Sequence, residues 1–308
     1  MSPLAAQIEH MYDHELTLGG RAALQYGLLR EVKKRTLTIG DFEAVLFFNP
    51  GRVHSVMADV SAKTLATRRC FLCPEGLEDK QLTFIWGRNA EAGGTDYDGT
   101  YAIRVNPFPI FAPHYTLSSV KHEPQQMLGH YADMLRLVRD LPEYTVFYNG
   151  ARCGASAPDH MHFQAVKTGS LPMQVYVDQH RCLPQFCPSA LWLHGTNPKE
   201  LEQAFFAAVD VYAQKKQPPT CVQDMPPRPD AADFNAVSWW NGEFNTIIQF
   251  RRQSRPACFF ATDEEERIQI SPGAVEMSGV AIVTTEEAFR KLTAEKLQDI
   301  ITEVSITV

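Results

Sequence analysis

The stretch that most constrains the fold of this chain is "FNAVSWWNGEFNTIIQF", residues 234–250, where two apolar, β-branched and aromatic runs flank Asn241-Gly242. Asn-Gly between such runs is a strong short-range signal for a hairpin, because a tight turn there needs backbone with φ > 0. An antiparallel pair this apolar needs further strands and covering layers, so the chain must build a sheet with a core on it. The rest of the sequence supplies them. "FEAVLFFN", "YTVFYNG", "HMHFQAVKT" and "VAIVTT" read as strands, and "TYAIRVNPFPIFAPHYTLSSV" reads as two strands joined by a proline-rich bend. Helical periodicity runs through residues 3–34 with a break near "LGG", through "EPQQMLGHYADMLRLVRDL" and "PKELEQAFFAAVDVYAQKK", and through "EEAFRKLTAEKLQDIITEV" at the end. Strands with helices between and beside hairpins predict an antiparallel α+β architecture.

Composition bounds the class. With 308 residues, 44% of them hydrophobic, the chain can bury a large core. A net charge of −7 argues against nucleic acid as a partner held by overall charge, while leaving room for local phosphate sites. The opening "MSPLAAQIEHMYDHELTLGG" is interrupted by acids and histidines and reads as neither a signal peptide nor a membrane span. Seven cysteines, an odd number, read as reduced thiols. A soluble cytoplasmic protein, with no membrane partner, is the expectation. "QPPTCVQDMPPRPDAAD" is rich in proline and acid and marks a linker at 216–232, dividing the chain into 1–215 and 233–308.

The chemistry concentrates in "NGARCGASAPDHMHFQ", residues 149–164. On a strand, alternate side chains share a face, so His160, His162 and Gln164 line one side while Met161 and Phe163 turn to a core. Same-face neighbours start roughly 7 Å apart, which lets one histidine hold a metal and the next face a substrate. The bland alternative is a pair of histidines on a half-exposed strand, and a redox metal held by both is another. The preceding loop, with two glycines and Ser156, offers backbone N–H groups to a phosphate, and Arg152 adds charge. A Cys-x-x-Cys pair, Cys70 and Cys73, stands apart in "RRCFLC". Two thiolates suit a metal that then needs two more ligands, or they are free thiols in a loop. His180, Cys182, Cys187 and His194 read as scattered surface and core residues.

"GASAPDHMHFQ" resembles the signature of the histidine-triad (HIT-like) superfamily, in its transferase and phosphorylase branch, which includes galactose-1-phosphate uridylyltransferase, the diadenosine tetraphosphate phosphorylases and GDP-galactose phosphorylase. "RVNPFPIFAPHYTLSSVKH", "FNAVSWWNGEFNTIIQFRRQSRP" and "SPGAVEMSGVAIV" look like the flanking segments of that branch, so the likeness runs from about residue 68 onward. It implies two HIT-like halves, antiparallel sheets with flanking helices, facing each other as an intramolecular pseudo-dimer, in a monomer or homodimer. It implies a structural zinc ion on Cys70, Cys73, His114 and His160. His162 becomes the nucleophile that takes a nucleotidyl group, and Gln164 the amide that binds a non-bridging phosphoryl oxygen. Asn106, Asn149, Gly154 and Ser156 become nucleotide and phosphate ligands, with Arg152 adding charge at that loop. Arg251, Arg252 and Arg255, just after a predicted hairpin strand, read either as candidates for the leaving or attacking phosphate or as a solvated strand end. The substrates implied are a nucleotide sugar or dinucleoside polyphosphate with phosphate as acceptor. A hexose-1-phosphate nucleotidyltransferase and a non-catalytic nucleotide- or zinc-binding module are the alternatives.

Overall fold

Among the described residues of the computed structural model of the chain, eight strands form one mixed-length sheet and three more form a second sheet packed over it. The structure describes residues 1–76, 81–87, 99–215, 217–221, 224–226 and 228–306, except for the side chain of residue 75. Of the expected linker 216–232, positions 216, 222, 223 and 227 lie outside the described residues.

The strands in chain order are β1 (Lys33–Ile39), β2 (Phe42–Phe48), β3 (Phe84–Gly87), β4 (Thr100–Val105), β5 (His114–Ser119), β6 (Tyr144–Asn149), β7 (His162–Lys167), β8 (Ala190–Gly195), β9 (Phe234–Trp240), β10 (Phe244–Phe250) and β11 (Val280–Val283). The large sheet runs β3-β4-β5-β7-β6-β9-β10-β8, every neighbouring pair antiparallel. The small sheet runs β1-β2-β11, with β11 parallel to β2. The architecture is thus α+β, and segments before and after the expected linker interleave, β6 pairing with β9, β8 with β10 and β2 with β11. The hairpin foreseen at Asn241-Gly242 joins β9 to β10, with Trp240 opposite Phe244 and Gly242 at φ +103° supplying the turn. β8 lies before the linker in sequence yet pairs with β10 beyond it.

The large sheet is buried on both faces. On one, Met161 and Phe163 of the histidine strand join Tyr101, Tyr115, Tyr148 and Phe234 beneath the helices Pro3–Thr17, Tyr131–Asp140 and Pro198–Ala213. On the other, Phe147, Val166, Val237, Trp239 and Ile247 pack against the small sheet and the helices Pro172–His180 and Ala294–Val304. The alternation read from "HMHFQ" therefore has a physical counterpart: odd residues enter the first core, even ones face the second.

Three expected helices come out shorter, for local reasons. The N-terminal helix breaks into Pro3–Thr17 and Arg21–Leu28, and the backbone then turns to β1, where β-branched Thr36 and Thr38 pair with β2. Residues 123–130 do not join the helix Tyr131–Asp140: Pro124 lacks the backbone donor, and Gly129 takes φ +83°. The closing helix divides at Leu292, where the Thr293 hydroxyl caps the second piece by accepting from Lys296 N at 3.2 Å.

Phe163 is fully buried between the rings of Tyr101 and Tyr148, at 5.6 and 6.2 Å between centroids. Phe163→Ala should lower stability by about 3–5 kcal/mol, the usual cost of opening an aromatic-sized cavity in a packed core. Urea unfolding of the two proteins measures it.

Candidate functional site

The pairing of β5 with β7 fixes where each polar side chain goes. His162 lies opposite Ser118, Gln164 opposite Thr116 and Val166 opposite His114. His162 and Gln164 share the face that lines a cavity of about 660 Å³, with Asn106, Asn149, Gly154 and Ser156 from the set expected on sequence grounds. The N-terminal helix segment adds Arg21 and Gln25. The turn after β2 adds Arg52 and His54, the bend after β4 adds Phe108, and the loop before β11 adds Gly273 and Glu276. Sequence reasoning missed these six side chains and Gly273, since they are scattered over four segments that only the fold assembles.

His162 is held with care. Its backbone N–H donates to Gln125 Oε1 at 2.7 Å, and the Gln125 amide donates back to the carbonyls of His162 at 3.0 Å and Asn149 at 2.8 Å. This fully buried glutamine locks the strand to the end of β6, and nothing in "EPQQM" announces it. His162 Nδ1 lies 2.8 Å from the backbone carbonyl of His160, so Nδ1 carries the proton and Nε2 keeps its lone pair. Burial lowers the pKa of this imidazole to about 4, leaving it neutral near pH 7.

Gln164 is oriented by a second histidine. Ile110 N–H donates to His114 Nδ1 at 3.2 Å, and a backbone N–H can only donate, so His114 carries its proton on Nε2. Nε2 then donates to Gln164 Oε1 at 2.9 Å, and Asn106 Nδ2 lies 3.4 Å from the same oxygen. With its oxygen engaged, the Gln164 amide turns its NH₂ toward the cavity. Burial lowers the pKa of His114 to about 3, which keeps this relay in its neutral form.

That placement corrects the expected ligand set. His114 sits six residues along the ladder from the level of His160, roughly 20 Å at strand rise, and cannot share an ion with it. His122, just past the end of β5, takes the place instead. Cys70 Sγ lies 3.2 Å from His160 Nδ1, Cys73 Sγ 3.2 Å from His122 Nδ1 and 3.4 Å from His160 Nδ1. All four ligand atoms fall within 4.8 Å of one another. Tetrahedral zinc with ordinary Zn–S and Zn–N bonds sets ligand atoms about 3.3–3.8 Å apart, so the donor set and its spacing fit. His160 Nε2 donates to Ser119 O at 2.8 Å, which turns Nδ1 to the thiols. Arg68 pairs with Asp159 and ties the cysteine loop to the start of the histidine strand. Among the described residues this is the one His/Cys/Asp/Glu group that can hold a metal ion. His180 and His194 instead stack on Tyr176 and Trp192, and Cys187 is buried beside Ser189 and Ser305.

The arginines expected to hold phosphate go elsewhere. Arg251 is 1% exposed, and its guanidinium donates to Asn235 Oδ1 and to the carbonyls of Pro272, Gln253 and Ser254 at 2.7–3.0 Å. It is an interior strut that pins the loop before β11 to the sheet. Arg255 donates to the carbonyls of Val56 and Ala58 and to Ser271 Oγ. Arg152 faces Asp233 at 3.7 Å. None of the three lines the cavity, which takes its positive charge from Arg21, Arg52, Arg68 and Arg104. Asn149 does reach it. Its Oδ1 accepts from Ala274 N at 2.7 Å and Asn235 Nδ2 at 3.1 Å, joining segments from before and after the expected linker at the cavity floor. Gly154, at φ +90°, packs so closely on Gly273 that an added Cβ would stand 2.8 Å from the Gly273 Cα.

The fold and this site together define an α+β protein whose antiparallel sheet presents a buried histidine and an oriented glutamine to an arginine-lined cavity. Over 92% of this chain and 95% of the other, the structure superposes on yeast Ap4A phosphorylase Apa2 with a TM-score of 0.57 at 14% identity. It superposes on the complex of that enzyme with AMP at 0.56 and 13%, covering 96% and 97%, and on the complex with Ap4A at 0.53 and 13%, covering 93% and 96%. At such identity the likeness is one of fold. Residues 11–167 match the model of a family described as "Domain of unknown function (DUF4922)", and the chain belongs to that family. No curated protein matches the sequence. No helix among the described residues is long and apolar enough to cross a membrane.

Two outcomes follow from this geometry. His122→Ala should lower the zinc content of the purified protein well below one ion per chain, while His114→Ala should leave it at the wild-type level, as elemental mass spectrometry would show. Glu276 is buried, and its pKa rises to about 7, chiefly through desolvation. A folded-state pKa above the unfolded one favours the fold at low pH, and that contribution is lost as pH rises through about 7. Glu276→Gln should therefore gain stability relative to wild type between pH 5 and pH 8, read from denaturation midpoints at the two pH values.

Proposed function

We propose that this protein is a nucleotidyltransferase of the phosphorylase type, which cleaves a dinucleoside polyphosphate or a nucleoside-diphosphate sugar at its α-phosphorus. The observation that carries the reading is the state of His162: neutral, fixed through Nδ1 to a backbone carbonyl, with Nε2 left as a lone pair in a cavity beside an oriented glutamine NH₂. Likeness of fold to an Ap4A phosphorylase supports the dinucleoside polyphosphate as the first substrate class to try.

In this reading the Nε2 lone pair attacks the α-phosphorus, and the bond from that phosphorus to the bridging oxygen breaks with its electron pair on the departing phosphate. A nucleotidyl-histidine forms. An oxygen of inorganic phosphate then attacks the same phosphorus, and the P–N bond breaks to restore the imidazole. Splitting the displacement in two is the general gain of covalent catalysis. Gln164 NH₂ donates to a non-bridging oxygen as charge builds there, and the neutral His114 behind it holds the amide in that sense. An amide delivers no proton, which suits a leaving group that already departs as a phosphate anion. Gly154 and Ser156 bring the loop before the strand to the cavity, and Asn106 stands between Gln164 and Phe108, placed for a ribose. A zinc ion on Cys70, Cys73, His122 and His160 would hold the cysteine loop to the base of the strand, a closed and structural role.

Native mass spectrometry at neutral pH, with a panel of dinucleoside polyphosphates and nucleotide sugars, tests the reading. A nucleoside-monophosphate adduct should appear on wild type, be absent from His162→Ala, and be cleared by inorganic phosphate. An adduct that survives His162→Ala would refute the assignment of the nucleophile. Clearance by hexose 1-phosphate alone would turn the phosphorylase into a sugar-phosphate transferase.

A further inference from the structure

Among the described residues four arginines line the cavity, and two of them keep guanidinium N–H groups without an acceptor there: Nε of Arg52, and Nη2 of Arg104 nearer the nucleophile. Arg104, near the end of β4, is only 7% exposed, yet among the described residues no carboxylate pairs with it. Its Nε donates to Thr83 Oγ1 at 3.0 Å, and its Nη1 to Ser118 Oγ at 3.0 Å and Leu72 O at 3.3 Å. All three acceptors are neutral. A guanidinium has five N–H donors, and the two on Nη2 have no acceptor among the described residues. Removing a cation from water without an anion beside it is costly, and evolution tolerates this mainly where a ligand supplies the anion.

Position says which ligand. Arg104 lies opposite Thr116 on β5, and Thr116 lies opposite Gln164 on β7, so the three stand in one row across neighbouring strands and all face the cavity. Strands are spaced about 4.8 Å apart, which puts the Arg104 backbone roughly 10 Å from that of Gln164. The long side chain closes most of that gap and ends on Ser118, the residue directly across from His162. Arg68, which also lines the cavity at this end, is neutralised by Asp159. Arg52 at the opposite end donates to the Phe108 carbonyl at 2.6 Å. Arg104 is thus the cation beside the nucleophile whose Nη2 hydrogens meet no acceptor among the described residues, on the side of the cysteine loop.

We infer that Arg104 anchors a second phosphate group, one that lies over Ser118 and Thr116 next to the phosphorus attacked by His162. This rests on the proposed nucleotidyl transfer and adds the subsite for the partner phosphate. Two sources share that chemistry: the polyphosphate that departs and the inorganic phosphate that arrives. A guanidinium presents paired N–H donors to phosphate oxygens, which makes arginine better suited than lysine to this post. The same guanidinium holds the Leu72 carbonyl between Cys70 and Cys73, so the subsite and the cysteine loop share one side chain.

Isothermal titration with inorganic tripolyphosphate and with orthophosphate, at matched ionic strength, tests this without any turnover. Wild type and His162→Ala should bind tripolyphosphate alike, and Arg104→Met should weaken that binding about 10- to 100-fold, the range for losing charge-assisted hydrogen bonds. Arg104→Lys should fall between. A parallel loss for orthophosphate marks the site as that of the arriving phosphate, and a loss for tripolyphosphate alone marks it as that of the departing chain. Unchanged affinity for both anions in Arg104→Met, or no binding by wild type, overturns the inference. Should Arg104→Met fail to fold, selenate soaked into wild-type crystals decides: an anomalous peak at the Arg104 guanidinium supports it, and a peak elsewhere or none overturns it. Arg104-dependent anion binding without a nucleotidyl adduct would sink the proposed reaction while leaving the subsite standing. An adduct without such binding would do the reverse.

Discussion

The register between β5 and β7 is the constraint on which the rest of the site depends. Because side chains alternate along a strand, a slip of one residue would send His162 and Gln164 into the aromatic core and bring Met161 and Phe163 out. The register also decides which histidine meets which partner. It sets Ser118 beside His162, places Thr116 between Gln164 and Arg104, and sends His114 to the amide rather than to the thiols. Aromatic packing under Phe163 and the Gln125 clamp over the backbone of His162 both resist a slip, from opposite sides of the same strand.

Charge in this molecule is sorted by depth. The chain as a whole carries −7, while the cavity collects four arginines. Inside, the fold distinguishes cations that serve as internal connectors from cations with capacity left over. Arg251 has its guanidinium filled by carbonyls and an amide, and Arg255 bridges two segments in the same manner. Three arginines in the run "RRQSR" look like an anion site when written as letters. The chain turns them inward or onto backbone, where each satisfies carbonyls that a loop leaves unpaired.

Much of the fold and part of the site could be read from letters, and the boundary between the two is physical. The hairpin at Asn241-Gly242, the inward turn of Met161 and Phe163 and the cavity-facing His162 and Gln164 all follow from local periodicity, which the sequence carries directly. The sequence offers His114 and His122 eight positions apart as the second histidine of the Cys/His cluster, and only the ladder shows which one reaches His160. β1 lies in the tail of a helical pattern, and β8 in a stretch whose histidines and cysteines read as scattered surface and core residues. Arg52, Arg104, Gln125 and Glu276 share no motif. Each acquires its role from contacts between segments distant in sequence, so no window of residues contains the signal.

The path of β8 bears on how the molecule can move. This strand belongs to the chain before the proline-rich stretch, crosses the sheet and ends hydrogen-bonded to β10, while β6 and β9 weld the middle. A jaw-like opening of one half against the other would have to unzip backbone ladders at both places. The cavity therefore sits in a frame tied by backbone ladders on both sides of the proline-rich stretch, while Arg21 and Gln25 of the helix Arg21–Leu28 line it without belonging to the large sheet.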